Sequence, residues 1–398
     1  MSLYLLINRI KVENANTIAG FTWGFPAITH FLGFSHNLAR KHACSSFSNL
    51  KLEGCSVFAH EHHVHTYGNY NDRFLQSKNP AYLEKDAENV AKGSSPSIIE
   101  EGKMNMMVSL LIAVEGLPGR RTNEWLEWVK GQCLRQRLAG GSIWKIGAVA
   151  LFDLTDSNDF YRLKRQLLPG FALMDRSGAL AEHYQKCLEE NPETEQIDAW
   201  LDFSALKQRA RPQSNLINTY LKDRAKTGED IEGLYECWNK HLETTHEGEI
   251  PDLLKAFFSD LQDSKEHKHL LQQWAQYIAP DAKTPADWSY QAKPEGGYLV
   301  PIMTGYKAIS PVYDNNEILN TRDAETPVCF VESVHSVGEW KGVHHFREEG
   351  DITASLWHYQ YEDGWYLCRQ TTQQTIASTG NLDDQILAIY DNPEDELV

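Results

Sequence analysis

The apolar residues near the N-terminus are spaced as in a buried strand. Residues 3–12 (LYLLINRIKV) alternate weakly and are rich in Leu, Ile and Val, which is typical of strands in a protein interior. The apolar run from Met104 to Val114 predicts another strand, and residues 52–65 predict a strand pair. Between the first strand and residues 52–65, Pro26 is expected to open a helix that runs through His36 to Arg40. The first part of the chain therefore combines strands with a helix.

A helix with one broad apolar stripe is predicted for residues 122–137. Thr122 is available to cap its first turn. The stripe consists of Trp125, Trp128, Val129 and Leu134.

Residues 178–296 have a different pattern, rich in Glu, Lys, Gln, Trp and Leu with helical periodicity. One stripe follows the i, i+3, i+4, i+7 spacing of an amphipathic helix and consists of Ile250, Leu253, Leu254, Phe257, Phe258 and Leu261. Similar stripes occur over 234–242 and 270–274. Because such faces can bury one another, we predict an inserted α-helical domain here. The β-rich pattern returns after Gly297, with turn signals at 314–316 and 362–364.

This order of elements predicts the α+β class. Strand–helix–strand at the start, further strands, and a return to β-structure after an insertion fit a ferredoxin-like domain of the RNA-recognition type. We assign residues 1–177 and 297–398 to that domain and residues 178–296 to the inserted one. A sheet of this type can bind single-stranded RNA through backbone contacts and stacking on exposed aromatic side chains.

The chain of 398 residues carries a net charge of −17, which by itself argues against nucleic acid as a ligand. The charge is uneven, however: residues 1–60 hold five basic and two acidic residues, and residues 119–169 hold nine and five. A basic groove on an acidic protein is therefore possible. Seven scattered cysteines without CxxC spacing predict reduced thiols in a cytoplasmic protein and no structural zinc. Neither a membrane span nor a secretory signal is expected.

Three basic clusters are candidate RNA contacts, each with an ordinary structural alternative. The first contains Arg9, Asn14, Asn16, Thr22 and Trp23, where the amides could equally form a turn and Trp23 a core contact. The second, Arg135, Arg137, Gly140, Gly141 and Ser142, could cradle phosphate or end a helix with Gly140 as its C-cap. The third, Arg162, Lys164 and Arg165, could contact phosphate or form a solvated helix face.

The histidines suggest neither a metal site nor a complete catalytic site. In the sequence HEHHVH, a strand would point His60 and His62 to one side and His63 and His65 to the other, so the four cannot converge on a metal. His30 and His36 could serve in acid–base cleavage of RNA, but no spacing supplies a partner. We therefore expect no metal, no cofactor and no catalytic residue.

A basic, amide-bearing strip lies within the otherwise acidic insert. Between residues 207 and 226 there are six basic residues and a single acid, Asp223. The alternative is an exposed helix face. We hypothesise that this strip contacts duplex DNA. The residues that would bind phosphates are Lys207, Arg209, Arg211, Lys222, Arg224 and Lys226, and those that would bind base edges are Gln213, Asn215 and Asn218.

Four separated stretches together resemble one protein family. They are residues 14–34, 98–111, 136–173 with QRLAGGSI and KRQLLPGFAL, and 296–340 with GGYLVPIMTGYKAISPVY. In the same order they are similar to the second Csy subunit of type I-F CRISPR surveillance complexes (Cascade), a Cas-five-like RAMP family. The resemblance covers roughly residues 3–185 and 295–345.

The resemblance implies a modified RNA-recognition-motif fold of the RAMP superfamily and a non-catalytic role in antiviral defence. Such a subunit caps the 5′ handle of the CRISPR RNA (crRNA) and contacts the backbone RAMP subunits. The longer insert resembles the minimal variant, in which this subunit takes over recognition of the protospacer-adjacent motif (PAM) from a separate large subunit. The implied partners are crRNA, backbone subunits, target double-stranded DNA, a large subunit where one exists, and a recruited helicase-nuclease. The alternative is a RAMP-type endoribonuclease that cleaves repeat RNA with His30 or His36.

Overall fold

A computed structural model of the chain describes residues 3–20, 22–68, 73–78, 91–93, 98–117, 119–211, 287–290, 292–294, 296–321, 323 and 325–370. The chain divides into two compact units, residues 1–204 with 295–398, and residues 205–294. Within the described part, no helix is long and apolar enough to cross a membrane.

The strands are β1 (Leu3–Asn16), β2 (Ile18–Ala19), β3 (Thr22–Trp23), β4 (Lys51–Val64), β5 (Thr66–Tyr67), β6 (Arg73–Lys78), β7 (Ile98–Glu101), β8 (Lys103–Glu115), β9 (Arg137–Leu138), β10 (Gly141–Lys145), β11 (Ala148–Asp153), β12 (Phe171–Asp175), β13 (Gln208–Arg211), β14 (Asp287–Tyr290), β15 (Tyr298–Ala308), β16 (Val331–Gly342), β17 (Trp357–Glu362) and β18 (Trp365–Gln370). The α-helices are α1 (Ile28–Ala43), α2 (Thr122–Leu134), α3 (Ser157–Leu167), α4 (Ser177–Glu190), α5 (Gln196–Ser204) and α6 (Glu349–Thr353).

The first unit is a mixed α+β structure built on an 11-stranded antiparallel sheet. The order of the sheet is β12-β16-β15-β18-β17-β4-β8-β1-β10-β9, and β11 pairs with β1 beside β10. β12 also pairs with β4, so six of the strands form a closed ring. The α+β class predicted from the sequence is confirmed by this architecture.

Two apolar clusters cover the two faces of the central strand β1. On one face, Leu5, Ile7, Ile10 and Val12 pack against residues of α1 and α2, such as Phe31 and Trp125. On the other face, Tyr4 and Leu6 pack against α3 and α6. This second face is covered only along the first half of the strand. In the second half, Lys11 and Glu13 are exposed. The polar end of β1 thus lies on an uncovered part of the sheet.

Helices α4 and α5 also belong to the first unit. Trp200 and Phe203 of α5 pack on Val337 of β16, and the indole nitrogen of Trp200 donates to the carbonyl oxygen of Ser336 at 3.0 Å. Residues 177–204, which overlap the start of the insert predicted from the sequence, therefore lie against the sheet.

The second unit is described at its two ends. β13 and β14 pair antiparallel, with Arg209 opposite Ser289 and Arg211 opposite Asp287. The helical stripes predicted between residues 234 and 274 lie outside the described residues and stay a prediction.

Several predicted elements are confirmed, with some corrections. The strands over 3–12 and 104–114, the helix after Pro26 and the turn over 362–364 are present. The strand pair predicted over 52–65 is wrong, because β4 runs through as one strand. Gly54 at φ 62° lies beside a shift of register between Glu53 and Ser56, so the glycine serves a β-bulge and not a turn.

The helix predicted over 122–137 starts as expected but ends earlier. Thr122 does not cap it: its hydroxyl donates to the carbonyl oxygen of Gly119 at 2.7 Å, and the N-cap residue is Arg121. The helix ends at Leu134 because Arg137 and Leu138 pair with β10. Gly140 is consequently not the helix C-cap that the sequence allowed.

Candidate nucleic-acid interface

The turn between β9 and β10 lies beside the end of β1. Ala139 and Gly140 have φ of 50° and 74°, the left-handed pair that a two-residue hairpin turn requires. The backbone nitrogen of Asn16 donates to the carbonyl oxygen of Ala139 at 2.8 Å. The structure thus brings together the first and second of the clusters proposed from the sequence.

The close approach of this hairpin to β1 requires a glycine. A Cβ atom built on Gly141 would lie 2.6 Å from the carbonyl oxygen of Glu13 and 2.7 Å from Val12 Cγ1. Gly140, in contrast, has open space around it. The two glycines therefore have different roles, Gly141 in packing and Gly140 in the exposed turn.

Strand register places basic side chains next to one another on this hairpin. Ser142 pairs with Arg137 on β9 and with Glu13 on β1, and Lys145 pairs directly with Lys11. Directly paired residues project to the same face of a sheet. We call Lys11, Arg137, Ser142, Trp144 and Lys145 the hairpin surface; all five are exposed, Trp144 to 67 %.

Two lysines directly opposite each other repel, at a cost of about 0.2–1 kcal/mol. Within the described residues neither Lys11 nor Lys145 forms a salt bridge, although Glu13 lies in the next row of β1. A phosphate between the two ammonium groups would relieve the repulsion. The arrangement therefore favours an anionic ligand at this point of the sheet.

Sequence reasoning missed Lys11, Trp144 and Lys145. Lys11 and Lys145 are far apart in the chain, and only the strand register pairs them. Trp144 gave a weak signal in the sequence as an aromatic residue next to a lysine in a short strand.

The remaining predicted residues of the first cluster hold local structure together. Asn16 forms a turn, its side chain donating to the carbonyl oxygen of Ile18 at 2.8 Å and accepting from the Ile18 backbone nitrogen at 3.1 Å. Asn14 is exposed, has φ 57° and donates its backbone N–H to Asn105 Oδ1 at 3.1 Å. The Thr22 hydroxyl donates to the Ala19 carbonyl oxygen.

Trp23 has features of both roles proposed for it, a packing contact and an aromatic ring open to a base. Its indole nitrogen donates to Thr17 Oγ1 at 2.8 Å, and Phe74 packs edge-on at 4.3 Å between ring centroids. The side chain is nevertheless 40 % exposed. One face of the ring is therefore held while part of it stays open to a ligand.

Arg9 links the first cluster to the third. It has φ 51° at a β-bulge of β1, and its Nη2 donates to the carbonyl oxygen of Leu168, just after α3, at 3.0 Å. A bulge changes the direction of a side chain, and here the Arg9 side chain points toward the loop that follows α3. Arg9 thus already has a protein partner.

A polar network surrounds Arg9 on the second face of the sheet. The Ser109 hydroxyl lies 2.7 Å from His60 Nε2 and 2.9 Å from Asn8 Oδ1. His60 Nδ1 lies 2.7 Å from the carbonyl oxygen of Pro169 and donates to it, since that oxygen only accepts. Burial lowers the pKa of His60, which keeps the ring neutral.

The third cluster is partly engaged in packing. Lys164 donates to the carbonyl oxygens of His344 and Phe346 at 3.0 and 2.5 Å. Arg162 pairs with Asp159 at 2.6 Å, whereas Arg165 is exposed.

In the second cluster, Arg135 is exposed at the end of α2, and Arg137 Nη1 donates to the Gly140 carbonyl oxygen at 3.3 Å.

The histidines considered for catalysis do not form a pair. His30 and His36 are six residues apart on α1, so their side chains point about 120° apart around the helix axis. Burial lowers the pKa of His30, and His36 packs edge-on against Tyr359. The HEHHVH segment lies on β4 and its continuation, with His62 and His63 exposed.

Most of the strip proposed for DNA lies outside the described residues. Arg209 and Arg211 are on β13, and Lys207 precedes that strand. The other members, which lie outside the described part, are Gln213, Asn215, Asn218, Lys222, Arg224 and Lys226.

The sequence of this chain is similar to those of known proteins. The family model described as "CRISPR-associated protein (Cas_Csy2)" matches residues 5–231 and 248–368. A curated relative, "CRISPR-associated protein Csy2" of Pseudomonas aeruginosa (strain UCBPP-PA14), is 28 % identical over 390 residues, covering 94 % of this chain and 96 % of the relative. The family resemblance inferred from the four sequence stretches is confirmed by these matches.

Proposed function

This chain belongs to the Cas_Csy2 family of CRISPR-associated proteins, and from that membership we propose that it is a non-catalytic, crRNA-binding subunit of a type I-F surveillance complex. In this proposal it caps the 5′ handle of the crRNA and contacts a backbone RAMP subunit. The RAMP-type, RNA-recognition-like nature of its fold is part of the same proposal, and the large antiparallel sheet with helices on its faces supports it.

The observation that carries the proposal is the cross-strand pair of Lys11 and Lys145 on the exposed hairpin surface. Arg137 adds a third cation in the neighbouring row of the sheet. Exposed cations on three adjacent strands suit the phosphates of a single strand, and the exposed Trp144 ring offers a stacking platform for a base. A local basic surface of this kind binds RNA in spite of the net charge of −17.

The test is guide retention in the purified complex. Replacing Lys11 and Lys145 together by Ala should lower the amount of crRNA that co-purifies and flatten the salt dependence of binding, because fewer counterions are released. The matched control replaces exposed Arg120 and Lys186 by Ala, which removes the same charge from a short 3₁₀-helix (Gly119–Arg121) and from α4. Equal crRNA occupancy in both double variants would remove the hairpin surface from the binding site.

The alternative function is endonucleolytic cleavage of repeat RNA by His30 or His36. The two imidazoles point in different directions from α1, and a general acid and a general base must both reach the scissile phosphate. Incubating the purified chain with end-labelled repeat RNA without metal distinguishes the two functions. Protection or binding alone supports the cap, whereas a product at one position that His30→Ala or His36→Ala abolishes supports the enzyme.

Recognition of the PAM duplex by residues 207–226 is the second part of the proposal. It is supported by the local charge of +5 in an acidic segment. The guide would read the target sequence by base pairing, and the protein would read only a short PAM and the backbone.

A further inference from the structure

Three potential metal ligands meet between α4 and α5. His183 and Cys187 lie one turn apart on α4, and Asp202 lies on α5. One ligand atom from each lies within 4.8 Å of the other two. We propose that His183, Cys187 and Asp202 form a zinc site that joins the two helices.

The distances between the ligand atoms suit tetrahedral zinc. Zn–S and Zn–N bonds of about 2.3 and 2.0 Å at a tetrahedral angle place sulfur and nitrogen about 3.5 Å apart. His183 Nε2 and Cys187 Sγ are separated by 3.5 Å. His183 Nε2 and Asp202 Oδ2 are 2.8 Å apart, a hydrogen-bond distance that opens to about 3.4 Å when the metal replaces the shared proton.

The chemistry of the three groups favours zinc over other divalent cations. A thiolate is a soft ligand that magnesium and calcium do not select, whereas imidazole, thiolate and carboxylate together are common zinc ligands. Binding releases the thiol proton to solvent, the neutral imidazole coordinates through Nε2 with its proton on Nδ1, and three protein ligands leave a fourth position for water.

The site is accessible and its histidine is held in place. The side chains of His183 and Asp202 are 24 % and 29 % exposed, so an ion can enter from solvent. The ring of Phe203 packs edge-on against the imidazole at 5.2 Å between centroids. This contact fixes the plane of the ring and reduces the ordering that binding requires.

The metal would fasten the helix that anchors this part of the chain to the sheet. Trp200 and Phe203, next to Asp202 on α5, pack on Val337 of β16. The first segment of the first unit ends two residues after Asp202, at Ser204. A zinc ion at Asp202 therefore stabilises the last helix before the second unit begins.

The sequence arguments against a metal site considered only CxxC pairs of cysteines and the HEHHVH segment. A site with a single cysteine, a histidine four residues before it and a carboxylate from the next helix has no such signature. The competing explanation is a metal-free ion pair between His183 and Asp202.

The test is titration of the chelator-treated full chain with Co²⁺, followed by displacement with Zn²⁺. We expect about one ion per chain, a thiolate-to-cobalt charge-transfer band and the visible spectrum of tetrahedral cobalt. Cys187→Ser should abolish the charge-transfer band, and Asp202→Asn should lower the affinity. Zn²⁺ should raise the melting temperature of the wild type and leave that of Cys187→Ser unchanged.

The matched controls are Cys44→Ser and His62→Gln, which alter an exposed cysteine and an exposed histidine elsewhere. Both should bind Co²⁺ as the wild type does. Absence of stoichiometric Co²⁺ binding, or a charge-transfer band that persists in Cys187→Ser, would overturn the proposal. In either case crRNA retention is measured separately, so failure of the zinc site leaves the proposed function untouched.

Discussion

Arg9 donates a hydrogen bond from Nη2 to the carbonyl oxygen of Leu168 at 3.0 Å. This contact joins the bulge of β1 to the loop after α3, two segments that the sequence presents as separate basic clusters. The guanidinium has further donors directed elsewhere, one of them toward Met107 Sδ at 3.6 Å. Arg9 can therefore position the loop and still contribute positive charge to a ligand.

Replacing Arg9 and Arg137 together by Ala should weaken loading of the crRNA and flatten its salt dependence. The single variants separate charge from folding. Arg9→Ala should cost about 1.5–3 kcal/mol of unfolding free energy, because a hydrogen bond from a charged group is lost. Arg137→Ala, at an exposed position, should change it by less than about 0.5 kcal/mol. Urea unfolding and crRNA quantification test this, and full crRNA occupancy in the double variant would contradict it.

Lys145→Gln should stabilise the free chain while it weakens RNA binding. Removing one of two directly opposed lysines relieves about 0.2–1 kcal/mol of repulsion, and the gain should shrink at high salt. Thermal unfolding at low and high salt measures the first effect, and crRNA retention measures the second. Lys186→Gln, on the exposed side of α4, is the control and should show neither. A variant that loses both stability and RNA would mean that Lys145 serves packing only.

Gly141→Ala should destabilise the hairpin surface. The added Cβ would lie 2.6 Å from the Glu13 carbonyl oxygen, and such overpacking costs about 1–3 kcal/mol. Gly178→Ala is the matched control, because Gly178 lies in a helix and a Cβ there meets nothing within 4 Å. Urea unfolding of both variants should show a loss for Gly141→Ala and no loss for Gly178→Ala. A tolerated Gly141→Ala would show that β10 can move away from β1.

The sequence was sufficient for elements that one apolar run defines. β1 and β8 are predictable because their apolar residues are buried almost without interruption. The strand pair expected over residues 52–65 is one strand, β4, because a glycine such as Gly54 in a strand signals a bulge or a turn equally well, and only the pairing of β4 with β8 decides between them.

The site was less predictable because it depends on register and on long-range contacts. Lys11 faces Lys145 only through the pairing of β1 with β10. Arg9 looked like a free cation, yet its partner is a backbone carbonyl that the sequence cannot reveal. The turn over 137–142 was found correctly as a basic glycine turn, although its place between two strands was not.

Acid should destabilise the chain through its buried histidines. Burial lowers the pKa of His60 below that of the unfolded chain, so below about pH 6.5 the unfolded state binds more protons. Stability from this group is complete above that pH and is lost as the pH falls toward the folded-state pKa. Urea midpoints between pH 5 and 8 should show the decline, and His60→Gln should reduce it. His62→Gln, an exposed neighbour, should leave the decline unchanged; an equal effect of both variants would contradict the assignment.

Substitutions in the strip over residues 207–226 should separate positioning from specificity in DNA binding. Phosphate contacts fix a protein on a duplex and base contacts read it, so Lys222→Ala and Arg224→Ala should weaken binding to every PAM alike. Gln213→Ala, Asn215→Ala or Asn218→Ala should instead reduce discrimination between PAMs, by about 1–3 kcal/mol for each lost bidentate contact. The measurement is the affinity of crRNA-loaded complexes for a panel of duplexes that differ only in the PAM. Lys186→Ala is the control for loss of one exposed charge, and crRNA loading should be unchanged throughout. If affinity and preference are the same in all these variants, residues 207–226 form only a solvated surface.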